Sequence, residues 1–393
     1  MQRVKILVLV CILVIVMAGC SSKAEPETFQ QGNRMAFYGP VMETDSAYYY
    51  NANELKYELH YFDKASGKSI FLCNKPECSH DGNEFCAATA GGRYVMYSAI
   101  YEDGIYIAAF ESEENRLDKK LFKVSLDGTK METISTYGYD PGNDGAIAIG
   151  VDDKKYMAVY KRKAIIPYTA KQEDGTNNYG TAIVNIDSGK TEYLEEYNSR
   201  TSLGQLKYIP YDNYLYYYVY DLNKHDSTLY RYHFSKKTNE EMGVPKDFID
   251  YCIVDGSIVY TQADKEGFVH LYSLNPDSME NKDLTGALTK EDGMPLLEKR
   301  EGVLFFDDNY LITYSKHEES DISYEYYVFT KDGVFLTSFS QPDNMQEESK
   351  MAVLNGYVYF RNYYGMVRCP MQDILEGNAK WESLFVTATK EEE

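Results

Sequence analysis

Three thiols and one imidazole fall within fourteen residues in Leu72-Cys73-Asn-Lys-Pro-Glu-Cys78-Ser-His80-Asp-Gly-Asn-Glu-Phe-Cys86. Cys73, Cys78, His80 and Cys86 form a full ligand set for a structural zinc ion, which takes sulfur and imidazole donors in a tetrahedron. The Cys-x4-Cys and His-x5-Cys gaps lie at or just past the usual spacings, and one residue between Cys78 and His80 is tight. A disulfide among the same cysteines is the other natural reading for an exported chain. Parity complicates it. With Cys11 removed in a leader and Cys20 consumed by a lipid, five of the seven cysteines remain and cannot all pair. Cys252 and Cys369 sit in apolar, strand-like contexts where a buried free thiol is the default. Zinc, a disulfide with spare thiols, and plain burial all stay open. In each case the stretch is structural, pinning one sheet to the next.

No other stretch carries a recognisable reaction, and no catalytic residue is assigned. Ser66-Gly67-Lys68-Ser69 has the end of a phosphate loop, but the glycine needed five positions before Gly67 is Phe62. A Gly-x-Ser-x-Gly elbow and a His-Glu-x-x-His pair are both lacking, and His317-Glu-Glu-Ser-Asp has no second histidine. Ser125-Leu-Asp-Gly-Thr129 resembles part of a sialidase Asp-box with one residue missing. Asp140-Pro-Gly-Asn-Asp-Gly145 has the composition of a calcium loop without its alternating carboxylates. His60, His225, His233 and His270 lie on or beside strand-like runs and read as packing or surface residues.

The elements that must position the cysteine cluster are short strands. Tyrosine supplies 39 residues and tryptophan one, a balance that favours pleated, half-buried surfaces. In Ala47–Cys73, Tyr48-Tyr-Tyr50 leads through a polar turn to Tyr57-Glu-Leu-His-Tyr61. Asp63-Lys-Ala-Ser-Gly67 turns the chain into Ser69-Ile-Phe-Leu72. Arg34-Met-Ala-Phe-Tyr-Gly39 would supply a fourth strand. Degenerate copies begin near Arg93, Ala146, Gln205, Asp247, Pro295 and Met351, with Asp127-Gly128, Asp255-Gly256 and Asp332-Gly333 as hairpin turns. Copies of roughly 50 residues that cannot bury both faces alone must stack. The fold class is therefore all-β, a β-propeller of about seven four-stranded blades, with six or eight still open. Pro167–Gly180 is expected to be a projecting polar loop. Loops 165–180 and 275–293 are the expected binding rim, and Met371–Leu375 is at most one helical turn.

The N-terminus reads as an export signal. Arg3 and Lys5 precede the apolar run Ile6–Val16, too short to span a bilayer, and then Met17-Ala-Gly-Cys20. This is similar to the bacterial lipoprotein signal, with Met17 in place of the usual leucine. The resemblance implies cleavage before Cys20 and acylation of its thiol, palmitate-like chains forming a membrane anchor. The expected domains are a signal peptide over 1–19, a flexible tether over 20–33, a propeller over 34–388 and a charged tail over 389–393. The expected location is the extracytoplasmic face of the cell membrane. The net charge of −21 becomes two units more negative without Arg3 and Lys5, which argues against nucleic acid as a partner.

The Tyr-rich strands, the Tyr-Phe-Asp turn and the Ser-Gly-Lys turns together resemble bacterial extracytoplasmic propellers, both TolB-like and YWTD-like. Firmicute lipoproteins of this appearance carry a similar Leu-Cys…Cys-x-His…Cys stretch after their first blade. The literal YWTD tetrad is absent. The resemblance implies a fold and a location without a settled activity. The expected function is a ligand- or protein-binding, scaffolding propeller whose partner is an envelope protein or an extracellular ligand. The alternative is a glycan-acting hydrolase or lyase with carboxylates at the central mouth.

Overall fold

The structure, a computed structural model, describes residues 42–44, 46–51, 57–113, 116–141, 156–172, 174–265, 269–284, 304–306, 309–316, 324–342, 345, 350–354, 356–362 and 365–386. The leader, Cys20, the tether, the Arg34–Gly39 strand and the tail lie outside these residues.

Seven antiparallel sheets follow one another along the chain, each paired in sequence order. Blade 1 is Met42–Glu43, Ala47–Asn51, Leu59–Asp63 and Lys68–Phe71. Blade 2 is Tyr94–Tyr101, Gly104–Glu113, Arg116–Ser125 and Met131–Pro141. Blade 3 is Ala158–Tyr160, Lys163–Lys171, Asn177–Asn185 and Thr191–Tyr193, with Tyr197–Asn198 as an extra edge. Blade 4 is Ser202–Tyr211, Tyr214–Asp221, Asp226–His233 and Thr238–Glu241. Blade 5 is Phe248–Val254, Ser257–Ala263, Val269–Leu274 and Asn281–Asp283. Blade 6 is Leu304–Phe306, Tyr310–Lys316, Tyr324–Thr330 and Phe335–Ser340. Blade 7 is Lys350–Leu354, Tyr357–Asn362, Gly365–Pro370 and Glu382–Val386, with the short helix α1, Met371–Leu375, before its last strand. The molecule is a seven-bladed β-propeller.

Burial on both faces explains why these strands lack a polar–apolar alternation. In Tyr214–Asp221, Leu215, Tyr217 and Val219 pack with Ala158, Ile165 and Ile183 of blade 3. The intervening Tyr216 and Tyr218 pack with Phe248, Tyr251 and Ile258 of blade 5. Side chains two apart share a face, so one strand feeds two cores. Each fully buried aromatic or aliphatic side chain is worth about 1.5–3 kcal/mol. Seven such cores, one per joint, close the ring.

The joints are unequal. Among the described residues, the core between blades 7 and 1 has five buried members, Tyr48, Tyr50, Ala352, Tyr359 and Met366, against ten or more in each other joint. Among the described residues no strand crosses this seam: the sheets of blades 1 and 7 are each paired within their own stretch. Polar aromatic contacts bridge it instead. Arg368 donates from Nη1 to the Tyr48 hydroxyl and from Nε to Glu382 Oε2 at 2.9 Å. Its guanidinium lies 4.5 Å from the Tyr357 ring and 5.6 Å from the Tyr48 ring, and that of Arg361 lies 5.9 Å from Tyr50.

Pro167–Gly180 is not the projecting loop its composition suggests. It is most of a hairpin, with Pro167 opposite Thr181 and Tyr168 opposite Gly180. The strand on the other side pairs only through Ile165, so proline's missing N–H falls on an open edge. Gly180 is needed because a Cβ there would lie 2.6 Å from the Tyr168 ring that crosses it. Only the tight turn around Gln172–Thr176 projects, closed by the Gln172 N–H to Thr176 carbonyl bond at 2.7 Å.

Candidate metal centre

The last strand of blade 1 delivers the cluster. The Leu72 N–H donates to the Leu59 carbonyl at 2.8 Å, and Cys73 then turns back with its N–H on the Phe71 carbonyl at 2.8 Å. A turn closed by Cys78 N–H to Lys75 O at 3.0 Å swings the second thiol inward. His80 takes a left-handed backbone, φ 56°, and its ring stacks on Phe71 with centroids 4.6 Å apart. Cys86 is fixed from both sides, its N–H on Asn83 O at 2.9 Å and its carbonyl receiving the Gly91 N–H at 2.8 Å. The loop then folds on itself so closely that a Cβ at Gly92, φ +71°, would meet the Gly82 carbonyl oxygen at 2.2 Å. Only glycine fits there.

The four ligand atoms lie within 4.8 Å of one another. Tetrahedral zinc with bonds of about 2.3 Å to sulfur sets neighbouring sulfurs about 3.8 Å apart, so the arrangement suits the ion. The five described cysteines, Cys73, Cys78, Cys86, Cys252 and Cys369, are free thiols. Cys86 is buried and the other three ligands are half-buried. The Cys86 sulfur is 3.6 Å from His80 Nδ1, and the Asn83 amide donates to Cys78 Sγ at 3.4 Å. Burial opposes ionisation of Cys78, but the His80 backbone N–H, the Asn83 amide and the neighbouring thiols outweigh it and lower its pKa. Burial pushes the Cys86 thiol up. Three sulfurs and one imidazole are a donor set for zinc rather than for calcium or magnesium. An ion held by all four donors would have no position left for a substrate, the arrangement of structural rather than catalytic zinc.

The loop binds blade 1 to blade 2, as its position between two repeats predicts. The Asn74 N–H reaches the Gly128 carbonyl at 3.3 Å, and the Leu59 N–H reaches the Ala88 carbonyl at 2.7 Å. Leu72, Ala87 and Ala90 enter one core with Ile105, Ile107 and Phe122 of blade 2. Gly128, φ +67°, lies so close that a Cβ would be 2.7 Å from the Leu72 carbonyl carbon. The Asp-box-like stretch thereby acquires a role as the hairpin turn that nests under the cysteine loop. Hydrogen bonds from the Ser125 and Thr129 hydroxyls and the Thr129 N–H hold Asp127 ionised, with a pKa of about 2.

Two features escape sequence reading. Lys207 and Asp250, on the first strands of blades 4 and 5, form a buried ion pair. Their only signal is a lone charge in each of two apolar strands, Gln205-Leu-Lys-Tyr-Ile209 and Phe248-Ile-Asp-Tyr-Cys252. The second is a set of paired carboxylates on the turns between strands. Arg162 Nη1 is 2.9 Å from Glu102 Oε2, and its Nε is 3.1 Å from Asp187. Lys123 is 2.5 Å from Asp103, Lys331 is 3.0 Å from Asp255 and Lys161 is 3.6 Å from Asp212.

No protein-family model matches this chain, and no curated protein matches it. Solved structures do. A prolyl endopeptidase is similar at 10% identity and TM-score 0.53, over 91% of this chain and 51% of the enzyme. A puromycin-hydrolyzing peptidase of Mycobacterium tuberculosis is similar at 10% identity and TM-score 0.52, over 93% of this chain and 56% of that one. An uncharacterized protein of Listeria monocytogenes aligns at 10% identity and TM-score 0.45, over 75% and 83% of the two chains. The chain spans about half the length of the two peptidases. At this identity the likeness shows the propeller fold alone.

Proposed function

We propose that this chain is a lipid-anchored extracytoplasmic propeller that binds or scaffolds an envelope protein or extracellular ligand, with zinc in its first inter-blade loop as a structural ion. The supporting observation is electrostatic. A glycan-cleaving site needs a carboxyl held protonated, with its pKa raised. Lys123 overcomes the effect of burial and holds Asp103 below its ordinary value, and Arg162 does the same for Asp187. These turn carboxylates are charged and paired, which suits recognition of a partner better than proton donation. Acylation of Cys20 places the propeller at the membrane surface, and Cys73, Cys78, His80 and Cys86 hold the ion.

The test is in-cell crosslinking of the full-length protein, followed by mass spectrometry of the captured species. One dominant envelope protein is the expected result, with Cys20→Ser abolishing both the lipid mass and membrane fractionation. Glycan cleavage by the purified protein, with no protein captured above background, would overturn the binding reading. Purified protein is expected to carry about one zinc per chain.

A further inference from the structure

We infer that the metal centre controls the attachment of blade 1 to the ring, so that losing the ion releases this blade while blades 2–7 keep their packing. The inference rests on the zinc reading above.

Blade 1 is the least self-sufficient unit next to its neighbour. Among the described residues its strands are two, five, five and four residues long, against eight, ten, ten and eleven in blade 2. It therefore depends on its two joints. Among the described residues the joint with blade 7 has the smallest core and shows no counterpart of a contact that recurs elsewhere. At other joints the connection between the third and fourth strands of one blade leans on the outer strand of the blade before it. A Cβ on Gly189 would meet the Ile134 carbonyl oxygen at 2.7 Å, and one on Gly333 would meet Leu284 at 3.0 Å. Helix α1 plays the same part by packing on the last strand of blade 6. At the seam, a Cβ on the corresponding turn glycine of blade 1, Gly67, would meet no atom of the described residues within 4 Å.

The other joint then bears the load, and it runs through the cysteine loop. Between Phe71 and Tyr94 the only regular element is the 3₁₀ turn Ala90–Gly92. Yet this segment places Ala87 and Ala90 in the joint core and supplies the bonds to Gly128 and Leu59. A few turn hydrogen bonds and the four ligands determine its course. An ion joining Cys73 to Cys86 closes the loop and removes the entropy of its open states, so binding is coupled to local order. Segments held by few contacts open as units below the global stability.

Hydrogen exchange of the full-length protein in mild detergent tests this, with metal content measured on the same zinc-loaded and chelator-treated samples. After zinc removal, amides of Ala47–Asn51 and Leu59–Asp63 are expected to exchange about tenfold faster or more. Those of Tyr214–Asp221 and Phe248–Val254 should be unchanged, and added zinc should restore protection. Cys78→Ser should give the same local pattern without chelator. If zinc leaves and blade 1 stays protected, or all blades lose protection together, the control inference falls while the zinc reading stands. Protein that never holds zinc overturns both.

Discussion

The Lys207 ammonium lies 2.6 Å from Asp250 Oδ2, and the pair stitches three blades together. The ammonium also donates to the Leu304 carbonyl at 3.0 Å, and the Leu304 N–H returns a bond to Asp250 Oδ2 at 2.9 Å. Asp250 is 1% exposed and Lys207 8%, so each charge depends on the other. Removing one partner of a buried pair costs about 3–5 kcal/mol, because the survivor is stranded. Asp250→Asn should lower the denaturation midpoint accordingly. The double variant Lys207→Met/Asp250→Leu should recover most of that loss, short of wild type by about 1–3 kcal/mol for the orphaned Leu304 N–H. A double variant no better than the single one would show that the charges are not coupled.

Gly128 and Gly67 occupy equivalent turns with nearly equal backbones, φ +67° and +65°. Gly67→Ala should cost only the left-handed strain, about 1–2 kcal/mol. Gly128→Ala adds a clash with the Leu72–Cys73 peptide and should lose a further 1–3 kcal/mol or so. Thermal unfolding of the two variants side by side checks this. Equal losses would mean that the cysteine loop does not rest on blade 2 as described.

Arg368 is the polar bridge of the seam. Arg368→Gln removes its contacts with the Tyr48 and Tyr357 rings and its charged hydrogen bonds to the Tyr48 hydroxyl and Glu382, together about 1–3 kcal/mol. Exchange should quicken at Tyr48–Tyr50 and Tyr357–Phe360 and stay unchanged at Tyr216–Tyr218. Arg368→Lys keeps the charge but loses the planar fork, and should fall between the two. Uniform acceleration around the ring would contradict a local seam.

His60 gives stability a pH dependence. Its ring packs 4.2 Å from that of Phe71, and burial is the largest cause that lowers its pKa to about 4 from 6.5. The fold thus favours the neutral ring. As pH falls, the unfolded chain takes up the proton first, so this contribution is complete above 6.5 and is lost between 6.5 and 4. Melting temperatures across that window should decline, and His60→Gln should flatten the decline. Identical slopes for wild type and variant would remove His60 from the account.

The strands and hairpin turns were legible because aromatic runs and Asp-Gly pairs act locally. The cysteine cluster was legible for the same reason, since its four ligands are close in the chain. Pro167–Gly180 was misread because proline and glycine normally end strands; here an open edge and a crossing tyrosine ring make both acceptable. The Lys207–Asp250 pair joins residues 43 apart and the Arg368–Tyr48 bridge residues 320 apart. Nothing in either local stretch identifies the partner, because only closure of the ring brings them together.

Among the described residues each blade is built from one stretch of chain, and no sheet takes a strand from another blade's stretch. New termini cut into a connection between blades would divide none of these strand pairs, so the described topology is compatible with circular permutation. Duplication or deletion of one stretch of roughly fifty residues would change the number of blades without rethreading the rest. Circumference in this architecture is a property that gene-level copying can alter one module at a time.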